Sequence, residues 1–432
     1  MTVRALVIEP NFSGHRWRYV EWTLETLLEA GYECTLSTDV RNFEHPLIQS
    51  YRSGRSAISL SWLEGDPAPS TALRALLARV KDEFAFHALF ASAYRSVVET
   101  QPVDLVVVPY GDYILKGVAL LGSPFSTTPW VCITMRQSFH LQQMGVKVPR
   151  RRYIDFVNKQ LFVRALRNGN LRTVLSIDPT LARWHASSPY AALRTRVDYL
   201  PDPFPEVSAV ERAKAKTRLG IDAQRTILVY GAISERKGVI ELLNACLALD
   251  AHPLVIIAGE QDDTVRAYLR SFRSALDGRI RVFDHFISAQ METDLFSACD
   301  VVWVGYKEHY GMSGVLVQAH RFRRIVIATS AGLIGWFAKH DQMGPLLPNL
   351  LPSTIGAAIK SAIYHCEWNI PFRSIEDDTR MLAQNTLHCF KQALAAAIST
   401  DRTSADANRP DASRPVRKAI DAHLAPIDTR HR

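Results

Sequence analysis

The chain has 432 residues, 47% of them hydrophobic and 22% charged. That balance excludes a fibrous, low-complexity or disulfide-stapled protein, and the length predicts two ordinary domains rather than one core. The formal net charge of +8 fits an anionic ligand, a nucleic acid or an anionic membrane surface, and by itself selects none of them.

The start, MTVRALVIEP, enters a strand pattern at once and lacks a signal-peptide layout, so the cytoplasm is the expected compartment. No run reaches the about eighteen apolar residues of a spanning helix. The six cysteines, Cys34, Cys132, Cys246, Cys299, Cys366 and Cys389, are scattered without a Cys-x-x-Cys pair or a His/Cys cluster. They read as small buried hydrophobes, and no metal is expected.

In chain order, Val3–Ile8 is a strand and Pro10–Arg16 a loop holding Gly14 and His15. A helix follows from about Trp17 to Ala30, then a strand at Glu33–Ser37. Thr71–Thr100 is helical. The apolar run Val103–Pro109 is a strand buried on both faces, Trp130–Met135 another, Tyr153–Leu166 a helix and Thr173–Ser176 a short strand. Alternation of this kind implies a parallel, doubly wound sheet.

Three prolines in Tyr199–Val207 (YLPDPFPEV) can continue neither a helix nor an inner strand, and predict an interdomain linker. After a polar helix at about Ala209–Leu219 the alternation restarts. Strands are expected at Thr226–Tyr230, Leu254–Ala258, Arg279–Phe283, Val301–Val304 and Ile325–Ala328. The expected fold class is therefore α/β, two doubly wound, Rossmann-like parallel-sheet domains facing across a cleft. Residues 1–204 form the first and 205–375 the second. Past Pro352 the pattern is helical with a break at Glu367–Phe372. The helix Asp378–Ile398, within the segment 376–398, is expected to return to the first domain, and 399–432 reads as a disordered tail.

The most telling stretch is Val229–Ala248, VYGAISERKGVIELLNACLA. A strand ends in a small-residue turn, Gly231–Ser234, and Arg236, Lys237 and Gly238 precede an amphipathic helix. Helix starts offer unpaired N–H groups and a partial positive charge, so the unit suits a phosphate. Solvated first-turn cations are the plainer reading. A second candidate is Tyr310–Gly314, where Gly311, Met312, Ser313 and Gly314 open an apolar helix that carries Gln318 within reach of a ribose hydroxyl. Thr329–Gly335 (TSAGLIG) is a third small-residue turn on the same sheet edge.

Taken together, Gly231 with Lys237–Gly238, Leu242–Ala245, Ala258–Gly259, Ser297–Asp300, Gly311–Ala319 and Val326–Gly332 resemble the donor domain of retaining glycosyltransferases of family 4, of glycosyltransferase B fold. The resemblance takes in the linker YLPDPF and weakens in the first half of the chain. It implies sugar transfer from a nucleotide-diphosphate donor, with retention, in polysaccharide or glycoconjugate biosynthesis. No cofactor beyond that donor is implied. Arg236 and Lys237 would stabilise the leaving diphosphate. Family members carry a spaced pair of glutamates; here Gln318 stands at the second and Tyr310 at the first, and Glu308 two residues earlier is either the residue that reaches the sugar or a solvated loop glutamate. The family arginine after the first glycine falls on Ala232, and the first-domain histidine falls near Arg136, with His140 beyond it. A non-catalytic relative that binds a nucleotide sugar or glycan is the alternative.

His285, with Phe286, is either a nucleobase contact or packing. Gly14, His15, Asp112 and Arg136 are expected to touch a glycan or lipid-linked acceptor, and no metal-binding Asp-x-Asp pair stands at a suitable strand end. Basic residues from Lys147 to Arg167, interleaved with Tyr153, Phe156 and Phe162, are either a solvated helix face or a peripheral contact with the inner membrane face. No nucleic-acid signature or G-x-G-x-x-G fingerprint is present.

Overall fold

The computed structural model describes residues 2–13, 16–55, 57–63, 75–204, 208–222, 225–249, 253–272, 277–367 and 381–399. They divide into two compact units, each built on one parallel sheet. Among the described residues no helix is long and apolar enough to cross a membrane.

The first unit holds the chain up to Met144, Arg150–Pro203 and the segment from Leu387. Its strands are β1 (Val3–Ile8), β2 (Tyr32–Asp39), β3 (Ile58–Leu63), β4 (Leu105–Val108), β5 (Trp130–Thr134), β6 (Leu171–Ser176) and β7 (Arg196–Tyr199), in the order β3-β2-β1-β4-β5-β6-β7. All residues of β4 and β5 are buried. A central parallel strand is covered on both faces, so an unbroken apolar run is what it needs. Alternate side chains feed two cores: Leu6 and Ile8 pack with Phe90, Phe125 and Trp130, while Ala5 and Val7 pack with Tyr19, Leu24 and Leu27.

The second core takes Phe390 and Leu394 from the helix Leu387–Ile398. Phe390 meets the rings of Tyr19 and Trp22 edge-on, and Lys391 pairs with Glu25 at 2.9 Å and Glu29 at 2.6 Å. This helix starts later than the Asp378 read from periodicity. Met381–Gln384 is instead a 3-10 turn of the second unit, because the Asp341 carboxylate accepts from the amides of Met381 and Leu382. The rest of the Glu367–Phe372 break and nearly all of the 399–432 tail lie outside the described residues.

The second unit holds Gly145–Pro149 and Phe204–Thr386. Its strands are β8 (Thr226–Tyr230), β9 (Leu254–Ala258), β10 (Ile280–Phe283), β11 (Val301–Val304), β12 (Ile325–Thr329) and β13 (Leu346–Leu347), in the order β10-β9-β8-β11-β12-β13. Chain order reverses between neighbours β8 and β11. Loops leaving these strands must diverge to opposite faces, which opens a crevice at their carboxyl ends, the place where such sheets hold ligands. β3, β7 and β13 escape the sequence reading: β7 abuts the proline stretch, and β13 is a pair of residues.

The exits of β8 and β11 touch backbone to backbone. At Gly238 (φ +66°) a Cβ would lie 2.3 Å from the carbonyl oxygen of Gly305. The indole N–H of Trp303 donates to the Lys237 carbonyl at 2.7 Å, and the Lys307 amide to the Arg236 carbonyl at 2.7 Å. Gly238→Ala is expected to destabilise the protein by about 2 kcal/mol or more, through left-handed strain and overlap together. Gly278→Ala, at φ +67° with open space around it, should lose only about 1 kcal/mol. Urea denaturation of the two variants measures the difference.

Candidate functional site

After Tyr230 the backbone turns at Gly231 (φ +92°), forms the 3-10 turn Glu235–Lys237, and enters the helix Val239–Leu247 through Gly238. Ser234 caps the short turn only through its carbonyl, which accepts from the Lys237 amide at 2.9 Å. Neither Ser234 nor Gly238 caps its helix through a side chain.

Lys237 does not point to solvent. Only 7% exposed, it folds back so that its ammonium donates to the Tyr230 carbonyl and lies 5.3 Å from the centre of the Tyr306 ring. A Cβ on Gly231 would stand 3.0 Å from that nitrogen. Burial, assisted by the Arg236 guanidinium, brings its pKa down to about 8.

Arg236 is exposed and bridges to the β11 exit. Its guanidinium donates to Nδ1 of His309 at 2.9 Å, and Nε2 of His309 lies 3.1 Å from the Met312 carbonyl. The carbonyl must accept, so Nε2 carries the proton and Nδ1 is the acceptor. Burial, then the two cations, lowers the His309 pKa and favours this neutral ring. The structure thus joins Arg236 to the Gly311–Gly314 loop through a histidine that the motif reading passed over. Its position between Glu308 and Tyr310 was the available signal.

That loop is held from within. Burial raises the Tyr306 hydroxyl to about 12, and it bonds to Ser313. Ser313 precedes the helix Gly314–Arg321 but makes no side-chain cap bond, so it leaves the first-turn amides to other partners. Gly311 sits against the His309 ring, and Gly314 against Phe204 so closely that a Cβ would come within 2.5 Å. The third small-residue turn serves as support: the Leu333 amide donates to the Tyr310 carbonyl at 3.0 Å and the Gly332 amide to the Lys147 carbonyl at 2.9 Å. Glu308 is exposed on left-handed backbone (φ +49°), a conformation that non-glycine residues adopt at a cost.

Gln318 is buried in the same helix, where its amide nitrogen donates to Glu292 at 2.9 Å. His285 follows β10, two strands from β8; it is exposed, and its Nδ1 lies 2.8 Å from the Phe286 carbonyl. No bond joins it to the Arg236–Met312 group among the described residues.

In the first unit, Gly14 and His15 lie outside the described residues. Asp112 is already engaged: its carboxylate accepts from the Thr134 hydroxyl, the Met135 amide and the Gln137 side chain at 2.6, 2.8 and 3.1 Å. It shapes the turn after β5 rather than presenting a free carboxylate, and burial raises its pKa. Arg136 is exposed and bonds to the Tyr110 hydroxyl. His140 is wholly buried against Asp178 (2.8 Å) and Thr180 (3.0 Å), a structural arrangement. Sequence reasoning missed Glu9; Arg16 closes the loop Pro10–Arg16 that it had already singled out. Glu9 is buried at the end of β1 with its pKa pushed up to about 8, chiefly by desolvation, and Arg16 lies 4.3 Å over the Tyr110 ring. Among the described residues no group of three His, Cys, Asp or Glu side chains is placed to hold a metal ion.

Comparison with known proteins adds three findings. Residues 224–364 match the family model described as "Glycosyl transferases group 1". No curated protein matches the chain by sequence. Among solved structures, sucrose-phosphate synthase from Thermosynechococcus elongatus is similar at a TM-score of 0.61 and 15% identity, over 97% of this chain and 100% of that one. HepE from Anabaena, solved with UDP, is similar at 0.63 and 15% identity, over 92% and 100%. WaaG, a glycosyltransferase involved in lipopolysaccharide biosynthesis, is similar at 0.55 and 15%, over 92% and 100%.

A lysine held near pH 8 by burial should respond to an anion. Acylation of Lys237, followed by mass spectrometry across pH, is expected to show a midpoint near 8. Sulfate, which does not ionise in that range, favours the ammonium and should move the midpoint upward. A midpoint near the ordinary 10.5 of lysine, unmoved by sulfate, would contradict the assignment. The second sheet thus carries, over residues 224–364, a segment matching the glycosyl transferases group 1 family, and the two-unit fold is one shared with glycosyltransferases of solved structure.

Proposed function

We propose that this chain is a retaining glycosyltransferase, moving a sugar from a nucleotide-diphosphate donor to an acceptor hydroxyl in polysaccharide or glycoconjugate biosynthesis. The observation that carries the reading is the convergence at β8 and β11. There a desolvated lysine, an arginine tied through His309 to Met312, and a helix start without a side-chain cap meet at the reversal of strand order. Diphosphate is a demanding leaving group because charge accumulates on it as the anomeric bond breaks. Cations and amides fixed beforehand stabilise that charge without reorganising.

In this scheme Arg236 and Lys237 neutralise the departing phosphates. The amides of Gly311, Met312, Ser313 and Gly314 bond their oxygens, and Gly231 and Ser234 keep the turn beside them open. Glu308 faces the developing positive charge on the sugar, His285 contacts the base, and acceptor contacts are assigned to Gly14, His15 and Arg136. Solved HepE structures with UDP and with UDP-glucose share the fold, which supports a uridine donor as the first to try. Positive charge comes from side chains rather than from a metal. The second reading, a binding protein without catalysis, draws on the uncharged Gln318.

A screen of nucleotide sugars for nucleotide release tests both readings. Arg236→Ala should lower kcat/KM about 100-fold, and Glu308→Gln should lower kcat more than it raises KM. Turnover should survive EDTA. Binding of a nucleotide sugar without turnover under any acceptor would favour the binding protein.

We further propose peripheral contact with an anionic membrane through the helix Arg152–Leu166. Tyr153 is 90% exposed, and Ile154, Phe156 and Val157 beside it are exposed too. Arg150, Arg151 and Arg152 precede them, and Arg164 lies farther along the same face. Apolar groups flanked by cations suit the headgroup boundary. The basic stretch divides, however: Lys147 reaches Ser330 in the second unit at 3.2 Å, and Lys159 lies over Trp184 and Tyr190. The protein should float with phosphatidylglycerol vesicles and not with phosphatidylcholine, and Tyr153→Ser with Phe156→Ser should release it. Protein left in solution with both vesicles would refute the contact.

A further inference from the structure

One turn beyond the Gly311–Gly314 loop, three polar side chains from three elements converge. Glu292 stands in the first turn of the helix Ala289–Ala298, which follows β10. Its carboxylate accepts from the amide of Gln318 at 2.9 Å and from the hydroxyl of Tyr230, the last residue of β8. Burial and the adjoining carboxylate raise the Tyr230 hydroxyl well above its ordinary value.

Two features of this group are unexplained by packing. Glu292 has neutral donors only; among the described residues no cation pairs with it. Gln318 is only 6% exposed, yet its side-chain carbonyl oxygen has no hydrogen-bond partner in the structure. A buried acceptor left open is costly unless something arrives to satisfy it. A half-buried carboxylate with no cation beside it is likewise unfavourable unless its charge is used.

We infer that Glu292 is a specificity-determining residue that bonds the ribose hydroxyls of a nucleoside diphosphate, with Gln318 as the residue that positions it. This deepens the donor site proposed above and rests on that reading. A ribose carries two adjacent hydroxyl donors, and a carboxylate offers two acceptor oxygens. In parallel α/β sheets an acidic side chain near the strand ends commonly takes these hydroxyls. The spacing agrees. Gln318 is one helical turn beyond Gly314, roughly 5–6 Å along the axis, the step from a bound phosphate to the adjoining sugar ring. The negative charge absent from position 318 is thus supplied by a neighbouring helix, and the open Gln318 oxygen is left to accept from a sugar hydroxyl or a base N–H.

The test compares ribo- and 2′-deoxyribonucleoside diphosphates by calorimetry, using whichever of UDP, ADP and GDP binds the wild-type chain. The wild type should prefer the ribo form about tenfold or more. Glu292→Gln should keep its folded circular-dichroism spectrum and lose most of that preference, while binding of the deoxy form changes less than about threefold. Tyr230→Phe, which removes only a support, should retain the preference. If Glu292→Gln does not fold, Glu292→Asp, whose carboxylate is drawn back from the sugar, should show a reduced preference. An unchanged preference in the soluble variant, or none in the wild type, overturns the inference and leaves the donor site standing. No binding of any nucleoside diphosphate by the wild type overturns the donor site itself.

Discussion

The β8 and β11 exits come into backbone contact at Gly238 and Gly305, and the site depends on that approach. A side chain at 238 would occupy the space of the Gly305 carbonyl. Once the backbones meet, Trp303 reaches the Lys237 carbonyl, and the β11 loop folds over the turn that carries both cations. The charges are therefore fixed by the sheet rather than by flexible loops. A site built this way loses little to reorganisation when charge develops.

Electrostatics within the group oppose one another usefully. Lys237 loses hydration and lies near a second cation, so its charged form is strained, as the fall to about 8 shows. His309 relieves part of this by remaining neutral and passing the Arg236 contact on to a backbone carbonyl. An anion entering here gains more from the lysine than it would from one in water, because a desolvated charge attracts more strongly. Buried Glu9 in the first unit shows the opposite case, a carboxyl raised to about 8 and favoured as the neutral acid at moderate pH.

Much of the fold was legible because central parallel strands require continuous apolar runs, and LVVV, TILVY and LVIIA are such runs. Edge strands need less: β7 is buried only at alternate residues and has no continuous apolar run, and β13, a pair of residues, is too short to impose a period. The turn from Gly231 to Gly238 was legible because backbone geometry constrains the sequence locally. Lys237 turning inward, His309 bridging and Glu292 meeting Gln318 were not, since each depends on which strands are neighbours. Asp112 shows the reverse: it stands where a ligand contact would, but three donors from the next strand exit have claimed it. Partners distant in sequence decide what a side chain is free to do.

The helix Leu387–Ile398 has a bearing on how the molecule is made. It supplies Phe390 and Leu394 to the hydrophobic interior behind the first sheet, although the remainder of that sheet is complete by Tyr199. During synthesis the N-terminal sheet must therefore wait, with Tyr19 and Trp22 lacking their aromatic neighbour, until the second unit has emerged. Excising residues 1–203 as a separate fragment would leave that interior unfinished, so the two units, though distinct in architecture, share one folding history.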